Sequence, residues 1–323
     1  CYTIAQQQLS YRSTSPTMPF TLPATTSRRD FLRTAGLGAL ACAAPSASAS
    51  DARSELWHVL SDTHVAEDSS TISRDNNMVQ NLDKVVAKVL KQQEGEKSFG
   101  LIINGDLAFD IGLPGDYNNL VAHLKPLRDA GIDVHLTLGN HDDRDNFFKG
   151  CSDLLSLRKS PLDHHHTGIL TSAVVNWVLL DSLEVTDQTP GLLGEKQLGW
   201  LDRTLRDLPN KPTIVITHHD LQGPVEEGKK ETGLKDTAAL LKVLEAHSKV
   251  QVFIHGHTHR WEVKTRNSGL HVINLPAVGY PHNPVQPTGH LTARVNNKGM
   301  TIQLHALDET HAAHGQKHEL AWY

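Results

Sequence analysis

Cysteine is scarce in this chain of 323 residues. There are three, and two of them, Cys1 and Cys42, fall in an N-terminal stretch with the features of a cleaved leader. That leaves Cys151 alone, which excludes an internal disulfide framework, so stability has to come from the core and from any bound ions. Long apolar runs are missing too. The apolar segment Thr34–Ala44 is about half the ~20 residues a membrane span needs and is rich in alanine and glycine. No stretch is basic enough for a nucleic-acid groove, and the formal net charge is −5. With 38% hydrophobic and 21% charged residues, the body has the composition of a soluble globule with one large domain or two small ones.

The leader reads as an address. Ser27-Arg28-Arg29-Asp30-Phe31-Leu32-Arg33 precedes the soft apolar run, and Ala47-Ser48-Ala49 follows as a small-residue cleavage pattern. Together these resemble a twin-arginine signal peptide. The expectation is a leader over 1–49, with Met18 as the start, and a mature protein from Ser50 that is periplasmic or extracellular. Its partner in export is then the twin-arginine machinery, which moves folded proteins; metal loading before export and the lack of disulfides both suit that route. Cys42 follows Ala39-Leu40-Ala41, a poor lipid-attachment box.

What the chain has in quantity is histidine, 21 residues, much of it in short blocks beside aspartate and glycine. The segments Leu56–Leu60, Gly100–Ile103, Val134–Leu138, Trp177–Leu180, Thr213–Ile216 and Val250–Ile254 are short and apolar and read as buried strands. Between them, Met78/Val79, Leu82, Val85/Val86 and Val89/Leu90 recur at helical spacing. Tyr117 to Leu127, Leu198 to Leu208 and Leu240 to Leu244 do the same. Such alternation predicts α/β layers. His271–Leu275, Thr292–Val295 and Thr301–Leu304 read as further strands, 50–307 as one domain, and the polar, histidine-containing tail 308–323 as loosely ordered.

Five of the six central strands run straight into metal-type ligands. The blocks are Ser61-Asp62-Thr63-His64, Asn104-Gly105-Asp106, Gly139-Asn140-His141-Asp142, Thr217-His218-His219-Asp220 and His255-Gly256-His257-Thr258-His259. Ligands gather at the carboxyl ends of strands in α/β sheets, so these blocks should meet in space. The oxygen and nitrogen donors suit manganese, iron or zinc, and no thiolate takes part. There are too many for one tetrahedral zinc. Two metal ions sharing a carboxylate would use the set fully, acidify a shared water and clamp a phosphoryl oxygen.

The order D-x-H, GD, GNH-D, H, GHxH resembles the calcineurin-like metallophosphoesterases from about Leu56 to Trp261. Gly191-x-Leu193-Gly194-x-x-Gln197-Leu198-x-Trp200-Leu201 is similar to a helix entry of the cyclic-nucleotide phosphodiesterase-like branch. The resemblance implies a four-layer αββα sandwich and a hydrolase acting on a small phosphate ester, diester or monoester. It implies Asp62, His64 and His259 on one metal, Asn140, His218 and His257 on the other, and Asp106 bridging. His141 is then the catalytic residue beside the substrate, steadying the transition state or protonating the leaving oxygen. Gly105, Gly139 and Gly256 should allow sharp turns at the strand ends.

Several residues carry a bland reading beside the sharp one. His219 could face the cleft and touch substrate, or replace His218 as the ligand. Arg144 could grip a phosphate or be a loop charge. His255 reads as a strand residue near the site, and His164-His165-His166 as a solvated loop rather than a third metal site. Phe109 stands where purple acid phosphatases place an iron-binding tyrosine, which argues against that subgroup. Asp110 does not align with the aspartate that supports the catalytic histidine in the serine/threonine phosphatases, and receives no role. A reading from another class is an exported metal-binding protein that keeps the fold without turnover.

Overall fold

In the computed structural model, residues 53–155 and 160–323 are described, and Asp51–Tyr323 forms one compact unit. The leader, Met18 and the cleavage pattern lie outside the described residues. In chain order the first elements are β1 (Glu55–Ser61), β2 (Ile72–Ser73), β3 (Asn76–Asn77), α1 (Met78–Gly95), β4 (Gly100–Asn104), α2 (Pro114–Asp129), β5 (Val134–Thr137), α3 (Arg144–Gly150) and α4 (Ser152–Leu155). There follow β6 (Gly168–Thr171), β7 (Asn176–Leu179), α5 (Gly194–Asp207), β8 (Thr213–Ile216), α6 (Thr237–Glu245) and β9 (Val250–His255). The chain finishes with β10 (Glu262–Thr265), β11 (His271–Asn274), β12 (Gly289–Val295), β13 (Gly299–Ala306) and β14 (Lys317–Ala321).

Two six-stranded sheets form, in the orders β14-β13-β12-β1-β4-β5 and β10-β11-β9-β8-β7-β6. Strict alternation in the central strands decides how they stack. Trp57, Val59 and Ile102 of the first sheet share one core with Trp177, Leu179, Ile214, Ile216, Val252 and Ile254 of the second. The residues between them point the other way. Leu60, Leu101 and Ile103 pack under Val79, Leu82, Leu120 and Leu124 of α1 and α2, whereas Val178, Val215 and Phe253 pack under Leu201, Leu205 and Leu240 of α5 and α6. Period-two strands buried on both faces thus give three apolar interfaces and four layers, the expected αββα sandwich.

β1, β4 and β5 run parallel, as do β7, β8 and β9. The loops after β1, β4 and β5 therefore leave one end of the first sheet together, and those after β8 and β9 leave the second. No helix among the described residues is long and apolar enough to cross a membrane.

The tail corrects the expectation of loose order. β14 pairs with β13 along its whole length, Leu320 is buried in the inter-sheet core, and the Trp322 indole donates to the Asn296 carbonyl at 2.9 Å. An edge strand with one wet face needs few apolar residues, so Lys-His-Glu-Leu-Ala gave little signal. The edge strands β6 and β10 went unread for the same reason. Leu320→Ala should cost about 2–4 kcal/mol in urea unfolding; a change under about 0.5 kcal/mol, the range of ordinary surface substitutions, would mean the tail adds nothing to the core.

Candidate metal centre

Three of the five ligand blocks sit on turns that their backbone would not choose freely. Asp62, His64, Asp106, His257 and His259 all have positive φ, between 46° and 66°. Holding a non-glycine residue there costs roughly 1–2 kcal/mol, and such strain persists only where surrounding structure fixes it. The restraints are visible. Asp62 N–H donates to Gly105 O at 3.1 Å and His64 N–H to Asp106 O at 3.0 Å, which ties the first two turns together. Asn104 ties both sheets: its carbonyl accepts from Ser61 Oγ at 2.8 Å and its amide donates to Thr217 O at 2.9 Å, while Thr137 Oγ1 donates to it at 2.9 Å.

Asp142 is a second strut, with no role foreseen from sequence. Its buried carboxylate accepts from the backbone N–H groups of Leu107, Ala108 and Gly139 and from Tyr117 Oη at 3.1 Å, locking the Asn140 turn onto the Asp106 turn. Burial and the charge of Asp106 push its carboxyl up to about 7. Gly139 and Gly256 are needed for closeness rather than for the sharp turn expected of them. A Cβ on Gly139 would stand 2.2 Å from Asp106 Oδ1, and one on Gly256 would stand 1.9 Å from Ser61 Oγ.

The histidines converge through their Nε2 atoms. His64 Nδ1 donates to Phe109 O at 3.2 Å, His218 Nδ1 to Asn104 O at 2.9 Å and His259 Nδ1 to Tyr280 O at 2.5 Å. A carbonyl can only accept, so each Nδ1 carries a proton, which turns each Nε2 into the cluster where it can ligate a cation, the usual second-shell device of metal sites. His259 Nε2 lies 3.1 Å from both Asp62 Oδ1 and His64 Nε2, and His218 Nε2 lies 3.1 Å from Asp106 Oδ2.

Two groups of ligand atoms result, each within 4.8 Å: Asp62, His64, Asp106 and His259, and Asp106, His218 and His257. Asp106 belongs to both. Asn140 is buried between Gly139, which abuts Asp106, and His141, whose N–H donates to Asp106 Oδ1 at 2.9 Å. Asn140 Oδ1 is buried without a hydrogen-bond partner among the described residues. That orphan acceptor, with the converging Nε2 atoms and two buried carboxylates, fits divalent cations with mixed nitrogen and oxygen ligands.

Electrostatics agree with that fit. Burial alone would raise the Asp62 and Asp106 carboxyls, but the surrounding histidines outweigh it and hold both below the usual range. Burial lowers His64 to about 3 and, with the charge of His218, lowers His257 to about 4. Burial acts against charge on His218 as well, yet Asp106 and Asp62 outweigh it and lift that ring to about 10.

His141 stands at the mouth, partly exposed, its ring 5.3 Å from that of His64. Its Nδ1 donates to the carbonyl of Asp110 at 2.6 Å, and the Asp110 carboxylate lies 3.9 Å away, so Asp110, given no role from sequence, holds this ring. Asp187 completes a small group with them. Tyr280, also missed, stacks on His64 with centroids 4.7 Å apart; it follows β11 in a loop with no ligand-type motif.

Two expected substrate contacts are placed otherwise. Arg144 forks onto Asp181, with Nε to Oδ2 at 2.9 Å and Nη2 to Oδ1 at 3.0 Å, and also donates to Leu183 O. Its guanidinium is spent on a buried carboxylate rather than on phosphate. The helix-entry pattern serves the same network: Gln197, on α5, donates to Asp181 O at 2.7 Å and accepts from Asp181 N at 2.8 Å. His219 is fully buried, its Nδ1 2.8 Å from Ser182 Oγ and its ring packed on His257, so it does not line the open cleft. His255 is a buried strand residue next to the site, as expected. His164 is exposed while His166 bonds Leu136 O at 2.9 Å, and the run joins no ligand group among the described residues.

The chain belongs to the calcineurin-like phosphoesterase family, which matches residues 58–261, and is a hydrolase of phosphoric ester bonds. It is 30% identical over 181 residues to a 3′,5′-cyclic-nucleotide phosphodiesterase of Nostoc sp., an alignment covering 56% of this chain and 62% of that relative. It is 27% identical to a 3′,5′-cyclic adenosine monophosphate phosphodiesterase of Haemophilus influenzae, covering 70% of this chain and 77% of the relative. The fold is similar to that of a dimetal phosphatase from Danio rerio, with a TM-score of 0.64, 17% identity, and coverage of 83% of this chain and 99% of that one.

Because Asp181 is fully buried, Arg144→Ala should strand its charge and cost about 3 kcal/mol in urea unfolding. Unchanged unfolding together with a several-fold rise in KM for a phosphate ester would return Arg144 to substrate binding.

Proposed function

We propose that the protein is a two-metal phosphoesterase acting on a small phosphodiester of the cyclic-nucleotide kind. The observation that carries this is the position of Asp106 in both ligand groups. Asp62, His64 and His259 would hold one ion, Asn140, His218 and His257 the other, with Asp106 shared. Bound there, two divalent cations (manganese, iron or zinc) supply Lewis acidity toward a phosphoryl oxygen and bring the pKa of water near neutrality.

The chain's own residues do the rest. Neutral Asn140 keeps the negative charge of the site down for an anionic substrate. His141, fixed by the Asp110 carbonyl through Nδ1, presents Nε2 at the mouth, where it stabilises the phosphoryl charge or passes a proton to the leaving alcohol. Buried His64, His218 and His259, each anchored on a backbone carbonyl, keep the ligand geometry rigid and dry. Relatives named as cyclic-nucleotide phosphodiesterases support the diester preference. The Arg28-Arg29 leader supports an exported enzyme working outside the cytoplasmic membrane.

The test strips the protein from Ser50 of metal, reloads it with Mn²⁺, Fe²⁺ or Zn²⁺, and assays bis(p-nitrophenyl) phosphate, p-nitrophenyl phosphate and cyclic AMP. A reloaded form should turn over the diesters, and Asp106→Ala should not. His141→Ala should lower kcat by about 10²–10⁴-fold with metal content retained. No turnover with any metal would leave a protein that binds ions without catalysis.

A further inference from the structure

Beside the ligand cluster lies a cavity of about 450 Å³, within the size range of small-molecule sites. Two rings join it to the centre. His282 lines the cavity and lies flat on His259, centroids 3.8 Å apart at 14°. Tyr280 precedes the cavity residue Pro281 and stacks on His64. Arg74 lines the cavity from the other side, its guanidinium carbon 5.3 Å from the Tyr280 ring centroid. Arg74, Tyr280 and His64 thus follow one another from the cavity to the ligand cluster.

The hairpin holds Arg74 there at a backbone cost. Ser73 pairs with Asn76, and the two residues between, Arg74 and Asp75, have φ of 49° and 62°. Positive φ at both central positions of a two-residue hairpin is the turn that asparagine and glycine favour, and arginine does not. Among the described residues the guanidinium has no hydrogen bond or ion pair, so this strained turn presents a cation whose five donors are unspent. Strain of this kind, beside a site, points to use.

We propose that this cavity receives the organic half of the phosphate ester, a nucleoside or similarly flat polar group, with Arg74 as its specificity-determining residue. A guanidinium above the Tyr280 ring, with its donors unspent, can stack on a planar ring or donate to its edge. Pro284 and Pro287 supply apolar wall, and Asn76 and Thr288 supply polar edges. A small alcohol would fill only part of this volume. The inference rests on the phosphoesterase reading, since it needs the ester phosphorus at the ligand cluster.

Adenosine, which lacks phosphate, probes the cavity alone. Calorimetry on the Mn²⁺-loaded full chain should show adenosine binding that Arg74→Ala weakens about tenfold and that Arg74→Lys, which keeps charge without the plane, does not restore. The ratio of kcat/KM for cyclic AMP over bis(p-nitrophenyl) phosphate should fall in parallel. Absent adenosine binding, or equal binding by wild type and Arg74→Ala, overturns the subsite even if esters are hydrolysed. Arg74-dependent adenosine binding without hydrolysis of any ester keeps the subsite and overturns the phosphoesterase reading.

Discussion

Two carboxylates, Asp62 and Asp106, are buried at the join of two sheets, and the rest of the site is arranged around that charge. Bringing an ionised carboxylate into a protein interior is costly unless positive partners and hydrogen bonds meet it. Here the partners are histidine rings, of which His64 and His257 are pressed by burial toward the neutral form and so add donors rather than charge. His218 is lifted toward its charged form by the two carboxylates. A ring proton is a poor match for so many converging donors, whereas a pair of divalent cations satisfies carboxylate, amide oxygen and imidazole at once.

The scaffold is built to hold that arrangement. Parallel strands in both sheets deliver five loops to one end, and Asn104 and Asp142 cross-link the loops through main-chain donors and acceptors. Five ligand residues sit in the left-handed region, so the turns are held by the surroundings and not by local preference. Stability and function are coupled through this design: the interactions that hold the strained turns are the ones that aim the ligands.

Much of this was legible in the sequence. The central strands were readable because burial on both faces leaves short, continuous apolar runs, and the ligand blocks because Asp, Asn, His and Gly stand together where each run stops. The edge strands β6, β10 and β14 were not, since one wet face removes the apolar signal. Long-range pairing was also hidden. Nothing near Arg144 announces that Asp181 takes its guanidinium, and nothing near His219 announces that Ser182 and His257 enclose it. Asp110 was given no role because it does not align with the supporting aspartate of the serine/threonine phosphatases, yet it holds His141 through its carbonyl, an atom every residue has. Tyr280 and Arg74 come from a loop and a hairpin outside the five ligand blocks, and only the folded chain sets them beside His64 and His259.

The sharing of Asp106 is the central claim, and diffraction at the manganese edge from crystals of the Mn²⁺-loaded protein tests it most directly. Two anomalous peaks about 3.5–4 Å apart, one on each side of the Asp106 carboxylate, are expected. One peak only, or peaks that leave His218 and His257 without an ion, would contradict it.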